Sequence, residues 1–220
     1  GMVPGIAYLN GYFAVMDVNA KIYNSALDDP TTWPALGVLT AENESGGGKG
    51  IARSMNYIIA FKEWTTEFYY DAKNAVGSPF SPVDNGFTEI GCATGFSLAN
   101  IHGSLFWMAQ TREQGRSCYM MSGLTQKKIS TPDVDRILNR DDLATVYGLG
   151  LELDGHPIYL ITLVTSNITL AYNLDSQVWT QWSSMTIGAN KSITSITRSG
   201  TTATATCAVA HTLSDGDPVK

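Results

Sequence analysis

The sequence predicts an all-β chain on three observations: its composition, a hairpin pattern that recurs roughly every 50 residues, and apolar runs too short for surface helices. Hydrophobic residues make up 44% of the 220 positions and charged residues 15%, so a sizeable core is within reach. The 21 Gly, 10 Tyr and 5 Trp favour strands and tight turns over long helices. Typical domains run ~100 to 200 residues, which leaves room for one large domain or two small ones.

The recurring unit is a turn residue, an apolar strand, a turn, a Tyr-bearing strand, a polar turn and a bulky apolar residue. Gly11, Asn56, Gly103 and Gly155 anchor four copies, with steps of 45, 47 and 52 residues between them. Tyr12–Met16, Tyr57–Phe61, Leu105–Ala109 and Ile158–Ile161 follow as buried strands. The second strands carry Tyr23, Tyr70, Tyr119 and Tyr172, three of them with a turn-forming Asn or Asp directly after the Tyr. Trp33, Phe80, Ile129 and Trp179 close the copies, 22, 24, 26 and 24 residues beyond their anchors. The period fits the ~40 to 50 residues of propeller blades, although the Trp-Asp and kelch signatures are missing. The expectation is therefore a β-propeller-like array of about four blades, part of a larger propeller or complete, since each small sheet has an apolar face that only a neighbour covers. An irregular β-sandwich with chance similarity between hairpins is the alternative.

One helix is expected from Thr131 as cap, Pro132 at the first helical position and Asp133 at its positive end, running to Asn139. The repeat domain is placed at 1–188. From 189 to 220 the texture becomes Thr- and Ala-rich, with alternation from Thr202 to Val209, and reads as the start of a further small β module or a linker. The turn at Asp215–Pro218, followed by Val219 and Lys220, suggests a piece of a longer protein, and Gly1-Met2 resembles the scar of a cleaved tag.

Charge and motifs narrow the function classes. A net charge of -6 and a pI near 4.9 disfavour a nucleic-acid platform, which draws its affinity from Lys and Arg on phosphates. No apolar run approaches the ~20 residues that span a bilayer, so neither a membrane nor sequence-specific nucleic acid is an expected partner, and synthesis in a cytoplasm is. Cys92, Cys118 and Cys207 are odd in number and widely spaced, as for buried free thiols rather than a disulfide framework or a zinc site. Ser45–Gly50 is rich in glycine but misses the phosphate-loop spacing, with Asn43 where the first Gly belongs and Gly50 where Ser or Thr belongs; it reads as a connecting loop. His102, His156 and His211 stand apart, two beside turn glycines, and no catalytic arrangement assembles from local sequence. Asp133, Asp135, Asp141 and Asp142 lack the spacing of a calcium loop. Trp64, Phe68, Tyr69, Trp107, Trp179 and Trp182 could stack sugars, but core packing is the commoner use. Neither a cofactor nor a metal is expected.

Three ordered stretches add a resemblance: Thr66–Tyr70 with Ser78-Pro79-Phe80; Glu89–Ala93; and Leu105–Met108 followed by Tyr119 and Ile129–Thr131. Together with the turn from Tyr172 to Trp179 they resemble the packaged-DNA stabilisation protein, or tail hub, of short-tailed phages, over roughly residues 50 to 185. The resemblance implies a non-enzymatic head-completion protein of the virion tail. It joins the portal or connector ring after packaging, closes the channel, and assembles as a homo-oligomeric ring with other tail proteins. The His-x-Leu-Ser-x-Gly-Asp stretch at His211–Asp217 resembles the opening of a small β module frequent in phage tails. Contact residues are expected in polar loops: Lys49 in the 43–50 loop, Arg112 and Arg116, and Asp133, Asp135, Arg136 and Arg140. The competing readings are a carbohydrate-binding or hydrolysing propeller acting on host glycans, for which Glu63, Glu67, Asp84 and Glu89 are the nearby carboxylates, and a generic bacterial propeller scaffold.

Overall fold

The computed structural model describes residues 1–182 and 193–207, and the chain divides into two units, Gly1–Trp182 and Ser183–Lys220. The first unit is a series of four antiparallel meanders, hereafter blades. Blade 1 holds β1 (Ala7–Leu9), β2 (Tyr12–Met16), β3 (Lys21–Asn24) and β4 (Val38–Thr40). Blade 2 holds β5 (Gly48–Ser54), β6 (Tyr57–Lys62), β7 (Thr66–Asp71) and β8 (Phe80–Thr88). In blade 3, β10 (Ala99–Ile101), β11 (Ser104–Thr111), β12 (Gly115–Ser122) and β13 (Thr125–Lys128) are joined by a short β9 (Gly91–Cys92) on β11. Blade 4 holds β14 (Val146–Leu153), β15 (His156–Leu163), β16 (Ile168–Asn173) and β17 (Val178–Trp182).

All four sequence anchors sit in the same place, the two-residue turn between the first and second strands, closed by the pairs Leu9↔Tyr12, Ser54↔Tyr57, Ile101↔Ser104 and Leu153↔His156. Three of these turns are Asn10-Gly11, His102-Gly103 and Asp154-Gly155, with positive φ at both residues. That conformation matches the right-handed twist of a hairpin and explains the glycines.

The central strands obey a parity rule. Counted from the anchor, even offsets face the preceding blade: Ile58 and Ala60 in blade 2, Leu105, Trp107 and Ala109 in blade 3, Tyr159, Ile161 and Leu163 in blade 4. Odd offsets face the following blade: Ala14 and Met16, then Ile59 and Phe61, then Phe106 and Met108. Three apolar clusters result, one at each junction of consecutive blades, which is why the strands read as continuous apolar runs rather than alternating ones. The buried Trp107 Nε1 donates to Gly91 O at 3.1 Å, and Tyr159 OH donates to Ser97 O at 2.8 Å. These bonds spare the large rings an unsatisfied polar end.

A second periodicity lies outside the sequence reading. Gly5, Gly50, Gly95 and Gly148 recur at 45, 45 and 53 residues and bring the leading segments of adjacent blades into backbone contact. A Cβ on Gly95 would meet Lys49 O at 1.8 Å, and one on Gly148 would meet Ser97 O at 2.2 Å.

Several expectations need correction. The segment 43–50 is not wholly a loop, because Gly48–Gly50 open β5; Gly48 is buried, and a Cβ there would lie 2.4 Å from Asp17 O. Tyr23, Tyr119 and Tyr172 are structurally equivalent, each paired with the residue four beyond its anchor, Val15, Trp107 and Tyr159. In blade 2 that place belongs to Glu67, opposite Ala60, and Tyr70 is exposed. The four closing residues are not equivalent either. Trp179 pairs with Tyr172, whereas Phe80 begins β8, Ile129 follows β13 and Trp33 is an exposed loop residue whose Nε1 donates to Pro30 O. Tyr and Trp can fill a sheet face, a turn or a loop, so residue type alone does not reveal register.

The helix forms as expected, α1 (Pro132–Leu138), with Thr131 accepting from Val134 N and burying Val134 and Leu138. In the second unit, β18 (Ile193–Ser199) and β19 (Thr202–Cys207) pair around Gly200. The 188/189 boundary and the His211–Asp217 stretch lie outside the described residues.

Gly95→Ala should force the blade 2–blade 3 backbones apart and cost at least ~1–3 kcal/mol, an overpacking penalty. Gly103→Ala, with nothing within 4 Å of its Cβ, should cost only the ~1 kcal/mol of a positive-φ side chain. Thermal unfolding of the two variants side by side checks the difference; equal losses would contradict the close-approach account.

Candidate functional site

The polar groups gather where the loops of blades 2 and 3 meet. A cavity of about 310 Å³ is lined there by Glu44, Trp64, Glu89, Ile90, Thr111, Arg112, Glu113, Gln114 and Tyr119. Arg112, in the turn between β11 and β12, lies 2.5 Å from Glu44 Oε1 and 5.7 Å from the centre of the Trp64 ring. A guanidinium over an indole face gains a cation–π attraction of ~0.5–1 kcal/mol at an exposed site. The cavity thus joins two flat aromatic faces, Trp64 and Tyr119, to a rim carrying three carboxylates and one cation.

Beneath it lies a buried charge network. Lys62 Nζ is 3.2 Å from Glu67 Oε1, both side chains 1% exposed. It also donates to Ala41 O at 2.9 Å and to Glu44 O. The other oxygen of Glu67 accepts from Tyr69 OH at 2.8 Å and from Asn43 Nδ2 at 3.1 Å. These bonds fasten the 41–44 connector, which brings Glu44 to the cavity, onto blade 2. A buried ion pair holds only when its remaining hydrogen-bonding capacity is met, and here each member has further partners.

The sequence-selected residues are dispersed. Lys49 is half-buried in β5. Arg116 donates to Leu138 O at 3.2 Å and Asp141 O at 2.6 Å, clamping the end of α1. Asp135 accepts from Ser130 Oγ at 2.5 Å and pairs with Lys128 at 2.7 Å. Asp133 and Arg136 form an exposed i,i+3 pair, and Arg140 is exposed nearby. Asp141 is buried; burial alone would raise its carboxyl, but hydrogen bonds from Ser166, Asp142 and Thr165 outweigh that and hold it below the usual range. Among the described residues, no group of three or more His, Cys, Asp or Glu is placed to hold a metal ion.

His102 and His156 do sit in exposed turns, yet each faces a carboxylate that local sequence did not reveal, Glu152 at 3.4 Å and Asp175 at 3.0 Å. Of the candidate sugar-stacking aromatics, Phe68, Tyr69 and Trp107 are core residues, and only Trp64 reaches the cavity. Glu67 is committed to Lys62, while Glu89 stands on the rim. Local sequence carried no signal for the Trp64–Arg112–Glu44 grouping, because its members come from three connections far apart in the chain. Burial pushes the Cys92 thiol up to about 12, and it raises the Cys118 thiol as well.

Four antiparallel meanders stacked in series, each covering its neighbour's apolar face, define a β-propeller protein. Over residues 1–207 the chain matches the phage-stabilisation family described as Bacteriophage P22 Gp10, beta-propeller, and it belongs to that family, one of phage packaged-DNA stabilisation proteins. No curated protein sequence matches it. Similar solved structures include BamB from Moraxella catarrhalis, at 10% identity and TM-score 0.49, covering 81% of this chain and 48% of that one. The dihydro-heme d1 dehydrogenase NirN is similar at 10% identity and TM-score 0.49, covering 80% and 37%. A chain of the Mitotic Checkpoint Complex follows at 11% identity and TM-score 0.46, covering 82% and 52%. The chain therefore spans about half or less of the length of these structures. No helix among the described residues is long and apolar enough to cross a membrane.

Lys62→Met should lower stability by about 3–5 kcal/mol, because Glu67 is left buried without its cation, and Lys62→Met with Glu67→Leu should recover part of the loss. Denaturant midpoints decide it; a double variant weaker than the single one would show that the pair is not the reason. In a Cys207→Ser background, Ellman's reagent should find no fast thiol in the native protein, and Cys92 and Cys118 should react only on unfolding.

Proposed function

We propose that the chain is a structural part of a short-tailed phage virion that docks on the connector ring after packaging, closes the channel and carries further tail proteins, without catalysing a reaction. The observation that carries this reading is the family match across residues 1–207. Its acidic balance is compatible: a plug that blocks the exit of DNA by assembling over the channel need not neutralise phosphates, which a net charge of -6 is poorly suited to do. Blades locked by continuous apolar junctions supply stiffness, and the exposed Arg112 and Arg140 in connections, with Asp133 and Arg136 on α1, supply polar contacts. A specific contact of this kind buries about 1,600 Å².

A second reading, glycan binding, rests on the cavity in which Trp64 and Tyr119 flank Glu89 and Arg112, since sugars stack on such faces. The two separate in one pair of experiments. The purified chain, mixed with its connector ring, should give a complex in native mass spectra and electron micrographs, and a glycan array should stay blank. Saturable sugar binding lost in Trp64→Ala, with no connector complex, would replace the first reading by the second.

A further inference from the structure

The cavity between blades 2 and 3 has the chemistry of a site for a positive charge. Its walls come from two consecutive blades and the connections around them, all among the described residues. Six of the nine lining residues are polar or charged, which makes it unsuited to an apolar ligand. Glu44, Glu89 and Glu113 line it together with a single cation, Arg112, so two negative charges are unmatched. Of the three carboxylates only Glu44 has an ion-pair partner among the described residues, and Glu89 and Glu113 are exposed. The surplus extends past the cavity, because Glu42 lies two residues before Glu44 and Glu63 directly precedes Trp64. A cleft lined by one sign of charge concentrates ions of the other.

Arg112 shows what the aromatic wall accepts. Its guanidinium lies 5.7 Å from the centre of the Trp64 ring and pairs with Glu44, yet its side chain is 58% exposed and sits in the turn between β11 and β12. An aromatic face with a carboxylate beside it is the combination that recognises guanidinium and ammonium groups, and Tyr119 adds a second ring to the wall. Two buried hydroxyls adjoin these residues and have no hydrogen-bond partner among the described residues: Thr65 Oγ1, directly after Trp64, and Ser117 Oγ, on the same face of β12 as Tyr119. A hydroxyl can accept from the N–H donors of a guanidinium.

We propose that this cavity is the docking site for an arginine side chain carried on a basic segment of a partner polypeptide, and that Arg112 is its resident stand-in, displaced from Trp64 when the incoming guanidinium enters. Arginine suits the walls better than lysine, since its planar fork both stacks on a ring and meets a carboxylate with two hydrogen bonds. A polypeptide rather than a free small cation follows from the reach of the negative surface, which continues beyond one side chain to Glu42 and Glu63. At about 310 Å³ the cavity stands at the lower end of small-ligand pockets, which run ~300–1,000 Å³. It has room for a side chain and not for a folded element. The inference goes beyond the virion and glycan readings, and a peptide titration succeeds or fails independently of a connector complex or a glycan array.

The test is an NMR titration of the full chain with an acetylated, amidated Gly-Ser peptide bearing a pair of arginines, with the same peptide bearing neutral citrulline in their place, and with agmatine. Saturable shifts of the Trp64 indole N–H, identified by its loss in Trp64→Phe, are expected with the arginine peptide, about tenfold weaker with the citrulline peptide, and weaker as salt is raised. Arg112→Gln, at an exposed turn position, should tighten binding roughly threefold, because it clears the ring and removes a like charge, and Glu89→Gln should loosen it roughly threefold. No saturable shift, equal binding of the citrulline peptide, or weaker binding by Arg112→Gln would overturn the proposal. Agmatine bound as tightly as the arginine peptide would overturn the polypeptide as its source.

Discussion

Everything in the first unit depends on the fact that a four-stranded blade with apolar residues on both faces cannot stand in water alone. At ~25 cal/mol for each Å² of apolar surface removed from water, covering the faces is the dominant favourable term, and the three junction clusters do this. Successive side chains on a strand point to opposite faces, so one strand serves two junctions and its parity decides which. A slip of one residue would exchange the two sets, so the hairpin turns that hold register matter as much as the side chains they align.

Polar groups are fitted into this scheme where the regular pattern is interrupted. In blade 2 the place held elsewhere by a tyrosine goes to Glu67, and the lysine that pairs with it ties the inter-blade connector to the sheet through Ala41 O and Glu44 O. The same connector presents Glu44 to Arg112 on blade 3. An exchange in the core of one blade is thus linked, through one segment, to the composition of the cavity between two blades.

Local signals and tertiary signals divided the candidate site unevenly. The helix cap at Thr131, the hairpin glycines and the apolar central strands depend on interactions within a few residues, and they were legible. The first strand of each blade was not, because it is short or glycine-bearing and its glycines answer to a neighbouring backbone rather than to a local turn. The same holds for Arg116 and Asp135: both looked like free surface charges, and both are committed to contacts around α1.

The sequence by itself determined that the chain is all-β, that it repeats, where the first hairpin of each blade turns and which residues build the central strands, because turn chemistry and strand pattern are encoded over a few neighbouring positions. Only the tertiary structure decided which face of each strand meets which neighbour, that Glu67 stands in a tyrosine's place, and that Trp64, Arg112 and Glu44 share one cavity. Those relations join residues far apart in the chain, and they arise from packing whole sheets together, which local pattern does not record.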